Sequence, residues 1–214
     1  MKLVCGLGNP GARYAGTRHN AGFRVVEAFA AGSSPAWTSR WDARVATFVW
    51  KDEPVTIIEP QTFMNLSGTA VVRAMQQLRV RLDDLLVVHD EVDLSTGRVL
   101  VRMGGSENGH RGVGSIIDHL GTRDFARLRI GVGRPEPGSE IEMVDWVLEP
   151  FPEGETETFL AAVRKAADGI GDWITGGVPR VQNRLNRRER PAKPTTPSCP
   201  GPQDPGPQDR KEVS

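Results

Sequence analysis

Short apolar runs alternating with stretches of helical period constrain this chain more than any other feature. Leu3 to Leu7, Val55 to Glu59, Leu85 to Val88 and Ala126 to Val132 are too short for helices and rich in aliphatic residues, which predicts buried strands. Between them Ala21, Val25, Ala28 and Phe29 recur at helical spacing, with Thr17 or Asn20 placed to cap the start and Gly32 to end it. A helix started by Ser67 and reaching about Leu78, a helix Val113 to Leu120, and a long helix from about Glu155 to Thr175 followed by a short basic one have the same character. Val45 to Trp50 and Val55 to Glu59 read as a hairpin around Lys51-Asp52-Glu53-Pro54, and Arg98 to Arg102 as a further strand. The expected fold is an α/β single-domain sandwich: a mixed, mostly parallel β-sheet flanked by helices, the hairpin supplying the antiparallel part.

At 214 residues the chain suits one sizeable core. After about Glu189 the composition changes: seven of the sixteen prolines fall in the last 26 residues, and Gly-Pro-Gln-Asp is written twice. The expected organisation is a catalytic domain over 1–188 and a disordered, Pro-rich tail over 189–214, since such a tail buries too little apolar surface to offset its ordering entropy. Of the two cysteines, Cys5 lies in an apolar run and Cys199 in the tail, so neither a disulfide framework nor a cysteine metal site is available. The N-terminus lacks the apolar stretch of a signal peptide, and no run reaches the length of a membrane span, so a soluble cytoplasmic protein is expected.

Lys+Arg and Asp+Glu both number 27, and the charge is unevenly spread. Pro135 to Thr158 holds eight acids and no base, whereas Val178 to Arg190 holds five arginines against Glu189 alone. A partner reads such local patches rather than the sum, so the overall balance neither proclaims nor excludes nucleic acid.

Three polar clusters stand at the ends of predicted strands: Asn9 after the first, Phe63-Met64-Asn65 after Val55 to Glu59, and His89-Asp90-Glu91 after Leu85 to Val88. That end of the strands is where ligands bind in open α/β sheets. The first helix starts near His19, which puts an imidazole at the same rim. His19 is thus a candidate base, Asp90 a candidate to orient it, and Asn9 and Asn65 candidate donors to a carbonyl. Singly, each has a plainer role as turn, cap or surface residue; their joint placement argues for a site. No serine stands in a Gly-x-Ser-x-Gly elbow and Cys5 belongs inside a strand, which leaves water as the nucleophile. His89, His110 and His119 are scattered, so no metal is expected, and His119 reads as an outer-face helical residue. Gly6-Leu7-Gly8-Asn9-Pro10-Gly11 satisfies G-x-G-x-x-G after a strand. However, Pro10 removes a backbone donor, the helix is delayed to near Asn20, and Glu27, the acid about twenty residues on, lies inside it, so no dinucleotide cofactor is expected.

These stretches, with Tyr14, Thr17-Arg18-His19-Asn20-Ala21-Gly22, Thr62-Phe63-Met64-Asn65-Leu66-Ser67-Gly68, Gly109-His110 and Arg127-Leu128-Arg129-Ile130-Gly131, resemble the bacterial peptidyl-tRNA hydrolases over about residues 1 to 188. The resemblance implies a monomeric, cofactor-free enzyme that cleaves the ester joining a peptide to tRNA. His19 would be the base and Asp90 its partner, with Asn9 and Asn65 holding carbonyl, backbone or water. Tyr14, Met64 and His110, with Phe63, would line the cleft, and Arg102 and Arg129 would grip tRNA phosphate. Arg111 stands where many members have Asn, an exchange of an uncharged contact for an electrostatic one. The segment Arg134 to Pro150 resembles the family's lid but is acidic, and its carboxylates are expected to face away from the acceptor stem. A non-catalytic RNA-binding protein on the same fold remains the alternative; the presence of both His19 and Asp90 favours the enzyme.

Overall fold

The computed structural model describes residues 1–186, so the expected tail lies outside the described residues. Twelve elements follow one another: β1 (Lys2–Gly6), α1 (Ala21–Ala31), β2 (Trp37–Arg40), β3 (Ala43–Trp50), β4 (Glu53–Pro60), α2 (Ser67–Leu78), β5 (Leu85–Glu91), β6 (Val99–Met103), α3 (Arg111–Leu120), β7 (Ala126–Gly131), α4 (Met143–Leu148) and α5 (Glu153–Leu185). The seven strands form one sheet in the order β2-β3-β4-β1-β5-β7-β6. Its central strands β4, β1, β5 and β7 are parallel, and β3, β2 and β6 are antiparallel additions at the two edges. The chain leaves β1 toward β4 on one side and reaches β5 on the other, so the order reverses at β1, where a crevice opens at the strands' carboxyl ends.

Strand pleating explains how both faces are filled. Leu3, Cys5, Ile58, Leu85 and Val87 pack against α2 and α3, while Val4, Ile57, Leu86 and Val88 pack against α1 and α5. These strands are buried on both sides, hence their continuous apolar runs. No helix among the described residues is long and apolar enough to cross a membrane.

Some boundaries differ from expectation. β5 does not stop at Val88; His89, Asp90 and Glu91 continue the strand because β7 offers Arg129, Ile130 and Gly131 as rungs. The hairpin turn is tighter than the four residues expected. Lys51 and Asp52 alone form it, both with positive φ, and Pro54 is already paired with Val49. β2 and α4 were not expected: β2 is largely exposed and polar, and α4 is six residues inside the acidic segment. The long helix and the short basic one are both present, separated at Gly177, whose φ of 65° no interior helical residue adopts, with Pro179 just beyond. At its end Asn186 gives both amide atoms to the main chain of Val101 on edge strand β6, at 3.0 and 2.8 Å, and so closes part of that edge.

One buried charge in this framework has a measurable cost. Glu59 on β4 is 1% exposed, bonded by Arg44 on β3 at 3.0 Å, and its other oxygen has no partner among the described residues. Burial, reinforced by Glu27 and only partly offset by Arg44, pushes its carboxyl up to about 7 from an ordinary 4.5. The folded state therefore binds this proton more tightly than the unfolded one, and stability is lost as pH rises through that window. Glu59→Gln removes the titration. Its stability relative to wild type should improve by about 3 kcal/mol between pH 4 and pH 8 in urea unfolding; an unchanged difference would refute the burial argument.

Candidate active site

The site is assembled where β1, β4 and β5 end. Gly22 at the start of α1 allows that helix to approach so closely that a Cβ there would lie 2.4 Å from the Leu7 nitrogen and the Val88 oxygen. Gly6 is similarly filled, its would-be Cβ 2.6 Å from the Gly22 oxygen. Gly6 and Gly8 thus serve helix packing, the would-be Cβ of Gly8 lying 2.7 Å from the Phe23 ring of α1.

Close packing brings the turn Arg18–Asn20 against the loop after β1. The Asn9 N–H donates to Asn20 Oδ1 at 2.9 Å and Asn20 Nδ2 donates to the Asn9 carbonyl at 3.0 Å. Thr17 and Asn20 were expected as caps, yet neither side chain caps a helix: Thr17 donates to the Tyr14 carbonyl and Asn20 latches Asn9. Asn9 Oδ1 accepts the Met64 N–H at 2.9 Å, which fixes the amide's orientation. Its Nδ2 has no partner among the described residues and remains available to the cleft.

His19 lies behind this latch, 8% exposed, with Nδ1 3.0 Å from both Asp90 oxygens. The structure adds a second imidazole that the sequence placed only as lining. His110 Nε2 is 2.9 Å from Asp90 Oδ1, while its Nδ1 accepts the N–H groups of Gly112 and Val113 at the start of α3. A ring nitrogen that accepts carries no proton, so His110 is the Nε2–H tautomer and donates to Asp90. Asp90 therefore receives two N–H donors, and His19, protonated on Nδ1, presents the lone pair of Nε2.

The electrostatics follow. Burial alone would raise the Asp90 carboxyl, but the two imidazoles hold it well below the usual carboxylate range. Burial works against a charged His19, but Asp90 outweighs it and raises the imidazole's pKa above its ordinary 6.5, with Arg111 opposing. Burial, then His110, push His89 well below its ordinary value, and its Nδ1 donates to the Asp90 carbonyl at 2.7 Å. Cys5 is fully buried in β1 and its thiol is pushed up by burial and by Glu59, unsuited to nucleophilic work.

Coordinating atoms of His19, Asp90 and His110 lie within 4.8 Å of one another, which invites a metal reading. The tautomer of His110 argues against it. Its Nε2 turns a proton toward Asp90, and ligation would require moving that proton to Nδ1 and uncapping α3.

These groups open onto a cavity of about 590 Å³. Asn9, Tyr14, His19, Phe63, Met64, Asn65, Asp90, His110 and Arg111 all line it. Met64 is buried, whereas Phe63 is 58% exposed at the mouth. Arg102 and Arg129 do not line it. Arg129 bonds Glu91 Oε2 through Nε at 2.8 Å and Nη2 at 2.5 Å, and Arg102 is exposed one strand away, paired in register with Arg127. All three share a sheet face. Arg127 was missed: it is 2% exposed, donates to the Gly105 and Ser106 carbonyls, and is pushed down to about 10 by burial and then by Arg102 and Arg129.

The opposite wall was also missed. Met143, Val144, Val147 and Leu148 of α4 line the cavity, whereas Glu136, Glu140, Glu142, Asp145 and Glu149 are exposed and outside its lining. A four-residue apolar face within an acidic stretch was the available signal.

Comparison with known proteins agrees with this geometry. The sequence profile of the family described as peptidyl-tRNA hydrolase matches residues 3–193. The chain is 43% identical over 188 residues to the peptidyl-tRNA hydrolase of Symbiobacterium thermophilum, covering 86% of this chain and 98% of that protein. It is 43% identical over 187 residues to that of Syntrophomonas wolfei, covering 87% of this chain and all of the other. The crystal structure of peptidyl-tRNA hydrolase from Acinetobacter baumannii superimposes with a TM-score of 0.81 at 33% identity, covering 87% of this chain and 94% of that one. With the profile spanning nearly the whole described fold, the chain belongs to the peptidyl-tRNA hydrolase family.

Proposed function

We propose that this protein is a cytoplasmic, monomeric enzyme that hydrolyses the ester between peptide and tRNA, with water as nucleophile and His19 as general base. The observation that carries the reading is the bond of His19 Nδ1 to Asp90, itself held by His110, which leaves Nε2 as the proton acceptor on the cleft side. In the reaction His19 Nε2 takes a proton from water as its oxygen bonds to the ester carbonyl carbon. The imidazolium, stabilised by Asp90, then returns a proton to the departing ribose oxygen as the carbon–oxygen bond breaks. The free Nδ2 of Asn9 and the amide of Asn65 donate to the carbonyl oxygens of the peptidyl group. A free aminoacyl ester has no peptide carbonyl to pair with them, which accounts for selectivity.

Tyr14, Phe63 and Met64 offer apolar surface to the substrate, facing the apolar wall of α4. Arg102 and Arg129 supply positive charge for tRNA phosphates, with Arg129 turned by Glu91. Arg111 stands at the cleft as an anion contact, and its charge is felt by His19. The Arg111 guanidinium is the main source of charge there, because His110 Nδ1 already takes the amides of Gly112 and Val113 at the start of α3.

The test is release of tRNA from N-acetyl-aminoacyl-tRNA; binding without release would favour the RNA-binding alternative. His19→Ala should fold and lose about 10² to 10⁴-fold in kcat. The base must be neutral to act, so the rate should rise with pH through a value above 6.5. Asp90→Asn removes the group that raises it and should move this limb to lower pH, at reduced rate, with tRNA binding retained. A limb that stays in place would remove Asp90 from the mechanism.

Arg102→Ala and Arg129→Ala should each raise KM and flatten the salt dependence of tRNA binding by roughly one unit or less per lost contact. An unchanged slope in both would place the tRNA elsewhere.

A further inference from the structure

Helix α4 forms one wall of the cleft, yet none of its six residues is buried and no side chain caps its start. A helix this short does not persist by itself in water, and an apolar core does not hold this one. Its fastening lies at its carboxyl end, in Arg18. That guanidinium is 2% exposed, and its Nη1 donates to three carbonyls: Trp146 at 3.2 Å, Glu149 at 3.3 Å and Pro150 at 3.0 Å. It lies 3.6 Å from the centre of the Trp146 ring, and the Glu149 carboxylate is 3.9 Å away. The main chain joins in: the Arg18 N–H donates to the Glu149 carbonyl at 3.1 Å, and Thr17 bridges Pro150.

A cation at the carboxyl end of a helix meets the negative end of its dipole; here the Trp146 carbonyl lies in the last turn of α4, and those of Glu149 and Pro150 follow directly after it. Arg18 is also the residue immediately before His19, in the same tight turn. We infer that Arg18 is a positioning residue whose buried guanidinium clasps the carboxyl end of α4 to the turn bearing His19, setting the apolar wall over the peptide. Its effect on the substrate rests on the cleft holding the peptide as proposed above; the clasp itself does not. Trp146 completes it from the other side, its Nε1 donating to the Gly133 carbonyl at 2.8 Å.

The experiment compares wild type with Arg18→Gln, Arg18→Lys and Trp146→Ala in the full chain. Hydrogen exchange without substrate should show residues 143–150 losing protection by tenfold or more in Arg18→Gln, with β5 and α2 unchanged. With N-acetyl-aminoacyl-tRNA, KM should rise by roughly tenfold, the worth of about one charged hydrogen bond. The value of kcat should stay within about threefold, and the acid limb of the pH profile should not move, because His19 keeps Asp90. Arg18→Lys should recover part of the loss. Trp146→Ala should reproduce it with the His19 turn untouched, and it decides the matter should Arg18→Gln fail to fold. Unchanged exchange in α4, or a fall in kcat with a shifted acid limb and constant KM, would overturn the clasp. Absence of tRNA release by wild type would instead overturn the functional reading, while the exchange data would still judge Arg18.

Discussion

The carboxylate of Asp90 is the group around which this molecule is arranged. A fully buried charge is tolerable only when donors surround it, and Asp90 obtains two from imidazoles on separate parts of the chain. Each donor is constrained in turn. His110 must give its Nε2 proton to Asp90 because its other nitrogen caps α3, and His19 must give its Nδ1 proton because both carboxylate oxygens face that atom. A basic Nε2 on the cleft side is then a consequence of satisfying one buried charge.

The scaffold makes that arrangement possible by close approach. α1 sits almost in contact with the main chain of β1 and β5, which only glycine at 22 allows, and this brings the His19 turn to the end of β5. The extension of β5 through His89, Asp90 and Glu91 matters equally. As strand residues they alternate faces, so Asp90 meets the histidines while Glu91 gathers Arg129, Asn108 and the Asp93 N–H. One strand end thus carries both the carboxylate between the two imidazoles and the anchor of the basic face.

Charge is unevenly distributed around the cleft. The apolar side of α4 faces the cavity and its one acid, Asp145, is exposed with the flanking Glu142 and Glu149, while arginines collect on the β6 and β7 side. A neutral total charge is therefore compatible with a locally cationic surface. Clustering has its own cost at Arg127, which burial and neighbouring arginines push down to about 10 and which two loop carbonyls stabilise.

Much of the fold was legible because hydrophobic periodicity records burial along the chain. Alternating strands and helices, the Ser67–Leu78 helix to the residue, and polar clusters at the strand ends all follow from spacing, and with them the end of the sheet that bears the site. Family resemblance added roles to His19, Asp90, Asn9 and Asn65. Periodicity carries no information about partners, and here the tertiary structure decided. It turned Asn20 from a helix cap into a latch on Asn9, His110 from lining into a donor to Asp90, and Arg18 from an anonymous cation into the clasp of a helix with no buried face. The bond between His19 and Asp90 spans 71 residues and that between Arg18 and Pro150 spans 132. Hydrogen bonds are directional, so such partners are set by where packing aims each side chain, whereas the residue pattern determines only how deeply it is buried.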